Sequence, residues 1–206
     1  MSARIGCVLF DIGGVLVELS GIPTMLQWMN GRTDTDGLWR AWLNSSVVRA
    51  FERGRIDADS FALQLVEEFG LNVDARQFLE GFTQWPRGPL PGAYELLARV
   101  RPGVLRATLS NSNATHWPRF IGEMDFGRHF DHHFASHLID RMKPDREAFE
   151  YVSTTVGVTP DRILFVDDNQ INVDAAREFG MPAHRCLGPA DVHRVLAEHD
   201  LLSDHG

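Results

Sequence analysis

Residues that could carry out phosphoryl or metal chemistry are spread along the chain. Asp11, the cluster Ser110–Asn113, Lys143 and the pair Asp167–Asp168 supply carboxylates, hydroxyl and amide groups, and one ammonium group. Mg²⁺ prefers oxygen ligands and often binds through one or two carboxylates and a substrate phosphate. A phosphoryl group between such a metal and Lys143 would have its charge neutralised from both sides. Asp11 would then be free to attack phosphorus.

Short apolar segments precede these groups and predict the strands that position them. Ile5–Phe10, Val104–Leu109 and Ile163–Val166 are apolar runs bounded by turn residues, and Ala183–Cys186 is a weaker fourth. Helical patterns, such as Glu147–Val156, separate the later strands. Alternating buried strands and helices predict an α/β fold with a Rossmann-like parallel sheet flanked by helices. Ligands bind such sheets beyond the carboxyl ends of the strands.

The connection between the first two predicted strands is far longer than the about 12 residues that a crossover needs. It contains amphipathic helical patterns, one of them over Phe61–Phe69 and ending at Gly70. Asp74 followed by Gln77 resembles a capping box at the start of another helix. This long connection is therefore predicted to be a helical insert.

The domain organisation follows from this insert. We expect an α/β core domain of residues 1–16 and 89–206 and a helical cap domain of residues 17–88. Four of the five tryptophans lie in the insert: Trp28, Trp39, Trp42 and Trp85. Core packing is the simplest interpretation of these side chains, although a few could line a cleft between the two domains.

The composition describes an acidic globular protein. The 206 residues are 44% hydrophobic, enough for a buried core, and carry a net charge of −8, which argues against nucleic acid or an anionic membrane as the main partner. No apolar run approaches the roughly 18 residues of a membrane span, and Ile5–Phe10 is too short for a signal peptide. We therefore expect a cytoplasmic monomer or homodimer. Cys7 and Cys186 are expected to be buried free thiols.

Lys143 is the only lysine among the 20 basic residues, and all the others are arginine. A codon bias explains the excess of arginine but not the retention of this one lysine. A compact ammonium group beside a nucleophilic carboxylate and a phosphoryl group would explain it, because a bulky guanidinium would crowd the reacting atoms.

Four segments, taken in order, resemble the motifs of the haloacid dehalogenase superfamily. They are Phe-Asp-Ile-Gly-Gly-Val, Leu-Ser-Asn-Ser-Asn, Met-Lys-Pro-Asp and Val-Asp-Asp-Asn-Gln-Ile-Asn. The resemblance extends from Ile5 to about Cys186, and the insert lies where this family has a helical cap. Most members are magnesium-dependent phosphatases, so the resemblance implies a phosphatase that uses Mg²⁺ and acts on a small phosphorylated metabolite.

The resemblance also implies a role for each matching residue. Asp11 would be the nucleophile that forms an aspartyl-phosphate, and Ser110, with the backbone or side chain of Asn111, would hold a phosphoryl oxygen. Lys143 would offset the charge of the nucleophile and the phosphate, and Asn172 would support the metal ligands. The implied metal ligands are Asp11, the backbone carbonyl of Gly13, Asp168 and, often through water, Asp167.

Gly13 departs from the family pattern. Most phosphatases of this superfamily have a second Asp at this position, which acts as general acid and base, and losing such catalysis costs about 10² to 10⁴ in rate. An anomeric sugar phosphate has a better leaving group and would need the acid less. We therefore expect sugar 1-phosphates as substrates, in line with a resemblance to the α-D-glucose-1-phosphate phosphatase branch. Glu18 is a candidate replacement acid, although a solvated charge in the linker is the simpler interpretation.

Two other functions stay open. In a 2-haloacid dehalogenase-type hydrolase the same Asp attacks carbon, but that branch typically has Tyr at the Gly13 position and altered acids at Asp167 and Asp168. A phospho-ligand binding protein with weakened catalysis is supported only by Gly13.

Overall fold

The computed structural model describes residues 4–203, which contain seven strands. The strands are β1 (Cys7–Phe10), β2 (Val17–Leu19), β3 (Pro86–Pro89), β4 (Leu105–Ser110), β5 (His132–Ala135), β6 (Ile163–Asp167) and β7 (Ala183–Arg185). Five of them form a parallel sheet in the order β5-β4-β1-β6-β7, and β2 pairs with β3 in a separate antiparallel sheet. The predicted Rossmann-like α/β fold is confirmed.

The register of the sheet brings the predicted site residues to one edge. The end of β1 lies opposite Thr108 of β4 and Val166 of β6. Asp11 directly follows β1, Ser110 is the last residue of β4, and Asp167 is the last residue of β6. Because the three strands are adjacent and parallel, their terminal polar residues lie side by side.

Helices cover both faces of the main sheet. The core helices are α6 (Ala93–Ala98), α7 (Ser136–Ile139), α8 (Arg146–Val156), α9 (Gln170–Phe179) and α10 (Pro189–Glu198). Val8 and Phe10 of β1 pack with α6 and α10 in one buried cluster. Cys7 and Leu9 pack with α8 and α9 in a second cluster. Successive residues of a strand point to opposite faces of the sheet. Both faces of β1 are covered by helices, so all four of its residues are buried and apolar.

The insert between β2 and β3 is helical, as predicted. It contains α1 (Gly21–Trp28), α2 (Thr35–Asn44), α3 (Ser46–Glu52), α4 (Ala58–Phe69) and α5 (Ala75–Thr83). Their apolar sides form a third buried cluster, rich in aromatic residues. Gly70 ends α4 with a φ of 56°, and Asp74 and Gln77 form a complete capping box at the start of α5. The division into domains at residues 16/17 and 88/89 stays a prediction.

The sequence patterns missed three strands. The edge strand β5 contains two histidines and only four residues, so it has neither an apolar run nor a clear alternation. The pair β2–β3 is equally short, and β3 includes two prolines, which disfavour a strand assignment.

Two smaller expectations concern the cysteines and membrane spans. Cys7 and Cys186 are buried and free, as predicted. Burial, the largest cause, raises the pKa of each thiol to about 12, which keeps both protonated. Within residues 4–203, no helix combines the length and apolar character needed to cross a membrane.

Candidate active site

Lys143 lies at the centre of a buried cluster of charges. Its side chain is 2% exposed, and Nζ lies 2.9 Å from Asp11 Oδ1 and 2.6 Å from Asp167 Oδ2. Burial alone would lower the pKa of Lys143, but the charges and hydrogen bonds of the two carboxylates outweigh burial and hold the pKa above its ordinary value. The structure thus brings together three residues that lie far apart in the sequence.

Asp167 is held by protein donors on both of its carboxylate oxygens. Oδ1 accepts hydrogen bonds from the backbone N–H of Asn169 (2.8 Å) and from Asn172 Nδ2 (3.0 Å). Oδ2 accepts from Lys143 Nζ and from Asn172 Nδ2, the latter at 3.1 Å. Two donors on each oxygen leave Asp167 poorly placed for direct metal ligation, and the arrangement suits the indirect role that the resemblance implies.

The three predicted acids lie close together, so a cation bound by Asp11 and Asp168 would also lie near Asp167. One carboxylate oxygen from each of Asp11, Asp167 and Asp168 lies within 4.8 Å of the others, and residues 4–203 contain no other such group of three potential ligands. Burial, the largest cause, raises the pKa of Asp11 to about 6 and that of Asp168 to about 7. Asp167 raises both further by charge repulsion, while Lys143 lowers both. A divalent cation would relieve this repulsion.

The side-chain oxygen of Asn172 is available to a ligand of the site. Asn172 is buried, and its Oδ1 has no hydrogen-bond partner among the described residues. Other buried side-chain atoms of residues 4–203 also lack a partner, but Asn172 Oδ1 belongs to the side chain that holds Asp167 through its amide nitrogen. With the hard oxygen donors of Asp11 and Asp168 nearby, the residues present fit Mg²⁺ or a similar cation.

The polar cluster after β4 divides between supporting and binding roles. Ser110 is buried and lines a cavity above the charged cluster. The side chain of Asn111 binds the backbone of Lys143 twice, since Nδ2 donates to the carbonyl (2.8 Å) and Oδ1 accepts from the N–H (2.9 Å). That side chain positions the Lys143 loop, so the backbone of Asn111, and not its side chain, would be available to a bound ligand.

The space beside Gly13 is filled by an apolar side chain from β2. A Cβ added at Gly13 would lie 2.7 Å from Leu19 Cδ1. Leu19 therefore lies where the second Asp of related phosphatases would project. Glu18, the candidate replacement acid, is exposed on β2 and is not among the residues that line the cavity.

The cavity above the charged cluster has a volume of about 160 Å³. That is room for on the order of ten water molecules, which suits a small metabolite. Its wall toward the insert is aromatic and includes Trp39, Trp42 and Trp85. Trp28 instead packs against Phe78, with ring centroids 5.7 Å apart. Both interpretations of the tryptophans are thus represented, core packing and cleft lining.

Two polar residues of the cavity were not singled out in the sequence. His116 stacks on Phe82 and its Nε2 lies 2.7 Å from the carbonyl of Phe82, so Nε2 carries the proton and donates. Burial, the largest cause, lowers the pKa of His116 to about 4, which keeps the ring neutral. Glu52, the last residue of α3, is the second. Neither has a motif around it that could have revealed it.

A family model described as haloacid dehalogenase-like hydrolase matches residues 5–180. The chain belongs to this family. The matched segment contains Asp11, Ser110 and Asp167 at the strand ends, and also Lys143. The candidate site therefore lies within the haloacid dehalogenase-like part of the chain.

Similar curated members of the haloacid dehalogenase-like family differ in their reactions. A D-ribitol-5-phosphate phosphatase of Bacteroides thetaiotaomicron is 23% identical over 92% of this chain and 95% of its own length. A sesquiterpene phosphatase of Aspergillus oryzae is 30% identical over 88% of this chain and 89% of its own length. The (S)-2-haloacid dehalogenase H-109 of Pseudomonas putida is 25% identical over 85% of this chain and 82% of its own length.

Solved structures of the same family share the fold. An enzyme of this family from Bacteroides thetaiotaomicron, crystallised with magnesium and inorganic phosphate, superposes with a TM-score of 0.69 at 23% identity, over 88% of this chain and 93% of that chain. The L-2-haloacid dehalogenase of Xanthobacter autotrophicus gives a TM-score of 0.63 at 21% identity, over 94% of this chain and 88% of that chain. At these identities the likeness concerns the fold. The resemblance to the α-D-glucose-1-phosphate phosphatase branch stays a prediction.

Proposed function

We propose that this hydrolase is a magnesium-dependent phosphatase that acts on a small phosphorylated metabolite through an aspartyl-phosphate on Asp11. The observation that carries the proposal is the position of Lys143 Nζ, which contacts Asp11 at 2.9 Å and Asp167 at 2.6 Å at the base of the cavity. The D-ribitol-5-phosphate phosphatase and the sesquiterpene phosphatase support it as relatives.

Each residue has a task in the proposed reaction. A carboxylate oxygen of Asp11 attacks phosphorus, and the bond from phosphorus to the leaving oxygen breaks. The hydroxyl of Ser110 and the backbone N–H of Asn111 hold a phosphoryl oxygen, while Lys143 offsets the charge that builds up on the phosphoryl group. Water then hydrolyses the aspartyl-phosphate and releases inorganic phosphate.

The metal would be held by the acidic edge of the sheet. Asp11, the carbonyl of Gly13 and Asp168 would bind Mg²⁺ directly, with Asp167 behind them. Bound Mg²⁺ would neutralise phosphoryl charge.

We further propose that the insert, residues 17–88, is a cap domain that excludes water from the site.

We also propose sugar 1-phosphates as a substrate class. The indole rings of Trp39, Trp42 and Trp85 line the cavity and offer apolar faces on which a sugar ring can pack. A hemiacetal leaving group also needs protonation less than an ordinary alcohol does. If anomeric and alkyl phosphates were hydrolysed at equal rates, this substrate assignment would be wrong.

A haloacid dehalogenase is the second candidate, because dehalogenases are among the similar proteins. The clustering of Asp168 with Asp11 and Asp167 favours the phosphatase, since dehalogenation needs no metal. The two are separated by incubating the protein with 4-nitrophenyl phosphate or with 2-chloropropionate, with Mg²⁺ or with EDTA. We expect 4-nitrophenolate release that EDTA abolishes. Chloride release in EDTA would instead identify a dehalogenase, and bound phosphate without turnover would identify a binding protein.

Gly14→Ala is expected to weaken Mg²⁺ binding about 10-fold or more, because a Cβ at Gly14 would lie 2.5 Å from Asp168 Oδ2 and must displace that ligand. The matched control is Gly157→Ala. Both glycines have positive φ, 73° and 68°, but Gly157 has open space beside it. Both variants should lose about 1 kcal/mol or more of stability. Only Gly14→Ala should show weaker binding in a Mg²⁺ titration by calorimetry, and equal affinities would contradict the assignment of Asp168.

A further inference from the structure

Glu52 is a buried carboxyl group without an assigned role in the two reaction steps at Asp11. It is 8% exposed and lines the same cavity as Asp11, Ser110 and Lys143. Its one hydrogen bond within residues 4–203 is accepted from Trp42 Nε1 at 3.3 Å, and no salt bridge to it occurs there. Glu52 therefore keeps free capacity to exchange a proton with a molecule in the cavity.

The charges that face Glu52 come from both the insert and the core. Burial, the largest cause, raises the pKa of Glu52 to about 7. The hydrogen bond from Trp42 and the charges of Lys143 and Arg49 lower it, and the charge of Asp11 raises it. A general acid or base works best when its pKa lies near the working pH. Glu52 meets this condition, and it lines the same cavity as the nucleophile and its lysine.

The helix that carries Glu52 is tied to the Lys143 loop. Arg49 of α3 and Arg53, the residue directly after α3, form salt bridges with Asp145 at 2.6 and 2.9 Å, and Arg53 also pairs with Glu147. Asp145 lies two positions after Lys143 in the chain. These contacts hold the end of α3, and with it Glu52, against the segment that carries the catalytic ammonium group.

We propose that Glu52 is the general acid and base of this enzyme, in place of the Asp that Gly13 lacks. The inference rests on the proposed phosphatase function. In the first step Asp11 bonds to phosphorus, the leaving oxygen separates, and that oxygen takes the proton of the Glu52 carboxyl group. In the second step the Glu52 carboxylate takes a proton from water as the water oxygen bonds to phosphorus. The Asp11–phosphorus bond then breaks, so Asp11 and protonated Glu52 are regenerated.

The apolar surroundings of Gly13 support a donor from elsewhere. Leu19 fills the space beside Gly13, so no acid acts from that side of the nucleophile. Glu52 approaches from the insert instead. With Glu52 as the acid, the preference for sugar 1-phosphates would come from the aromatic wall of the cavity and not from the acidity of the leaving group.

Glu52→Gln tests the proposal with two substrates of similar shape, 4-nitrophenyl phosphate and phenyl phosphate. The nitrophenolate leaves without a proton, so the first step should survive and give a rapid burst of about one product per active site. Steady-state turnover should fall about 10²- to 10⁴-fold, because water lacks its base. Phenyl phosphate, whose phenol has a pKa near 10, should give no burst. The control Glu67→Gln, an exposed residue of α4, should behave as wild type.

Two results of this experiment would overturn the role of Glu52. One is steady-state turnover within about threefold of wild type, and the other is a folded variant that shows no burst with 4-nitrophenyl phosphate. A burst in Asp11→Asn would instead contradict the proposed function itself, since that variant has no nucleophile.

Trp42→Phe provides a second test should Glu52→Gln fail to fold. The Trp42 hydrogen bond lowers the pKa of Glu52, so its removal should raise that pKa. The first step needs protonated Glu52, and kcat/KM for phenyl phosphate should therefore decrease as the pH rises through the pKa. We expect this basic limb, near pH 7 in the wild type, to move to higher pH in the variant. An unmoved limb would contradict the assignment.

Discussion

Asp11→Asn is expected to reduce phosphate release by at least about 10⁴-fold, because an amide cannot attack phosphorus. The fold should persist, since Asn has nearly the same shape and Lys143 keeps its 2.6 Å contact with Asp167. The measurement is 4-nitrophenolate release with Mg²⁺, together with thermal unfolding in EDTA. Asp174→Asn, an exposed change on α9, is the control and should keep full activity.

Asp11→Asn is expected not to lower Tm at pH 8. The pKa of Asp11 is raised in the folded state to about 6, mainly by burial, so its ionised form is disfavoured by folding. A group of this kind favours the folded state below its unfolded pKa and loses that contribution as the pH rises through about 6. Removing the charge should therefore leave Tm at pH 8 unchanged or higher. Retained activity in this variant would overturn the mechanism.

Lys143→Met is expected to be the most destabilising of these changes. It leaves Asp11 and Asp167 close together and buried without a cation, and breaking a buried ion pair costs about 3–5 kcal/mol. For a chain of this length that corresponds to a fall in Tm of roughly 10 °C. Lys143 lowers the pKa of Asp11, so in its absence Asp11 stays protonated to higher pH. The loss of Tm should therefore be larger at pH 8 than at pH 5.

Lys143→Arg is the matched variant, because it keeps the charge and changes the shape. The lysine side chain is 2% exposed, so a larger guanidinium must displace its neighbours at a cost of about 1–3 kcal/mol. We expect Lys143→Arg to be more stable than Lys143→Met and still to lose most of its activity on 4-nitrophenyl phosphate. Full activity would mean that the retention of a single lysine has no functional cause.

Much of the core could be predicted because its signals are local. β1 and β6 are covered on both faces, so each reads as a short apolar run, and the capping box at Asp74 is complete within four residues. The edge strand β5 was missed because it has no such local signal. Its pairing with β4 depends on a neighbour more than twenty residues away, and its own sequence is half histidine.

The sequence was enough to predict that Asp11, Ser110 and Asp167 lie at one edge of the sheet, because each stands where a predicted parallel strand ends. That the three strands are neighbours became known only from the structure. The surroundings of these residues also required the tertiary structure. Leu19 over Gly13 and Glu52 facing the cavity depend on how β2 and α3 pack against the core. Such contacts join residues that no local pattern relates, since periodicity reports which face is buried and not what it is buried against.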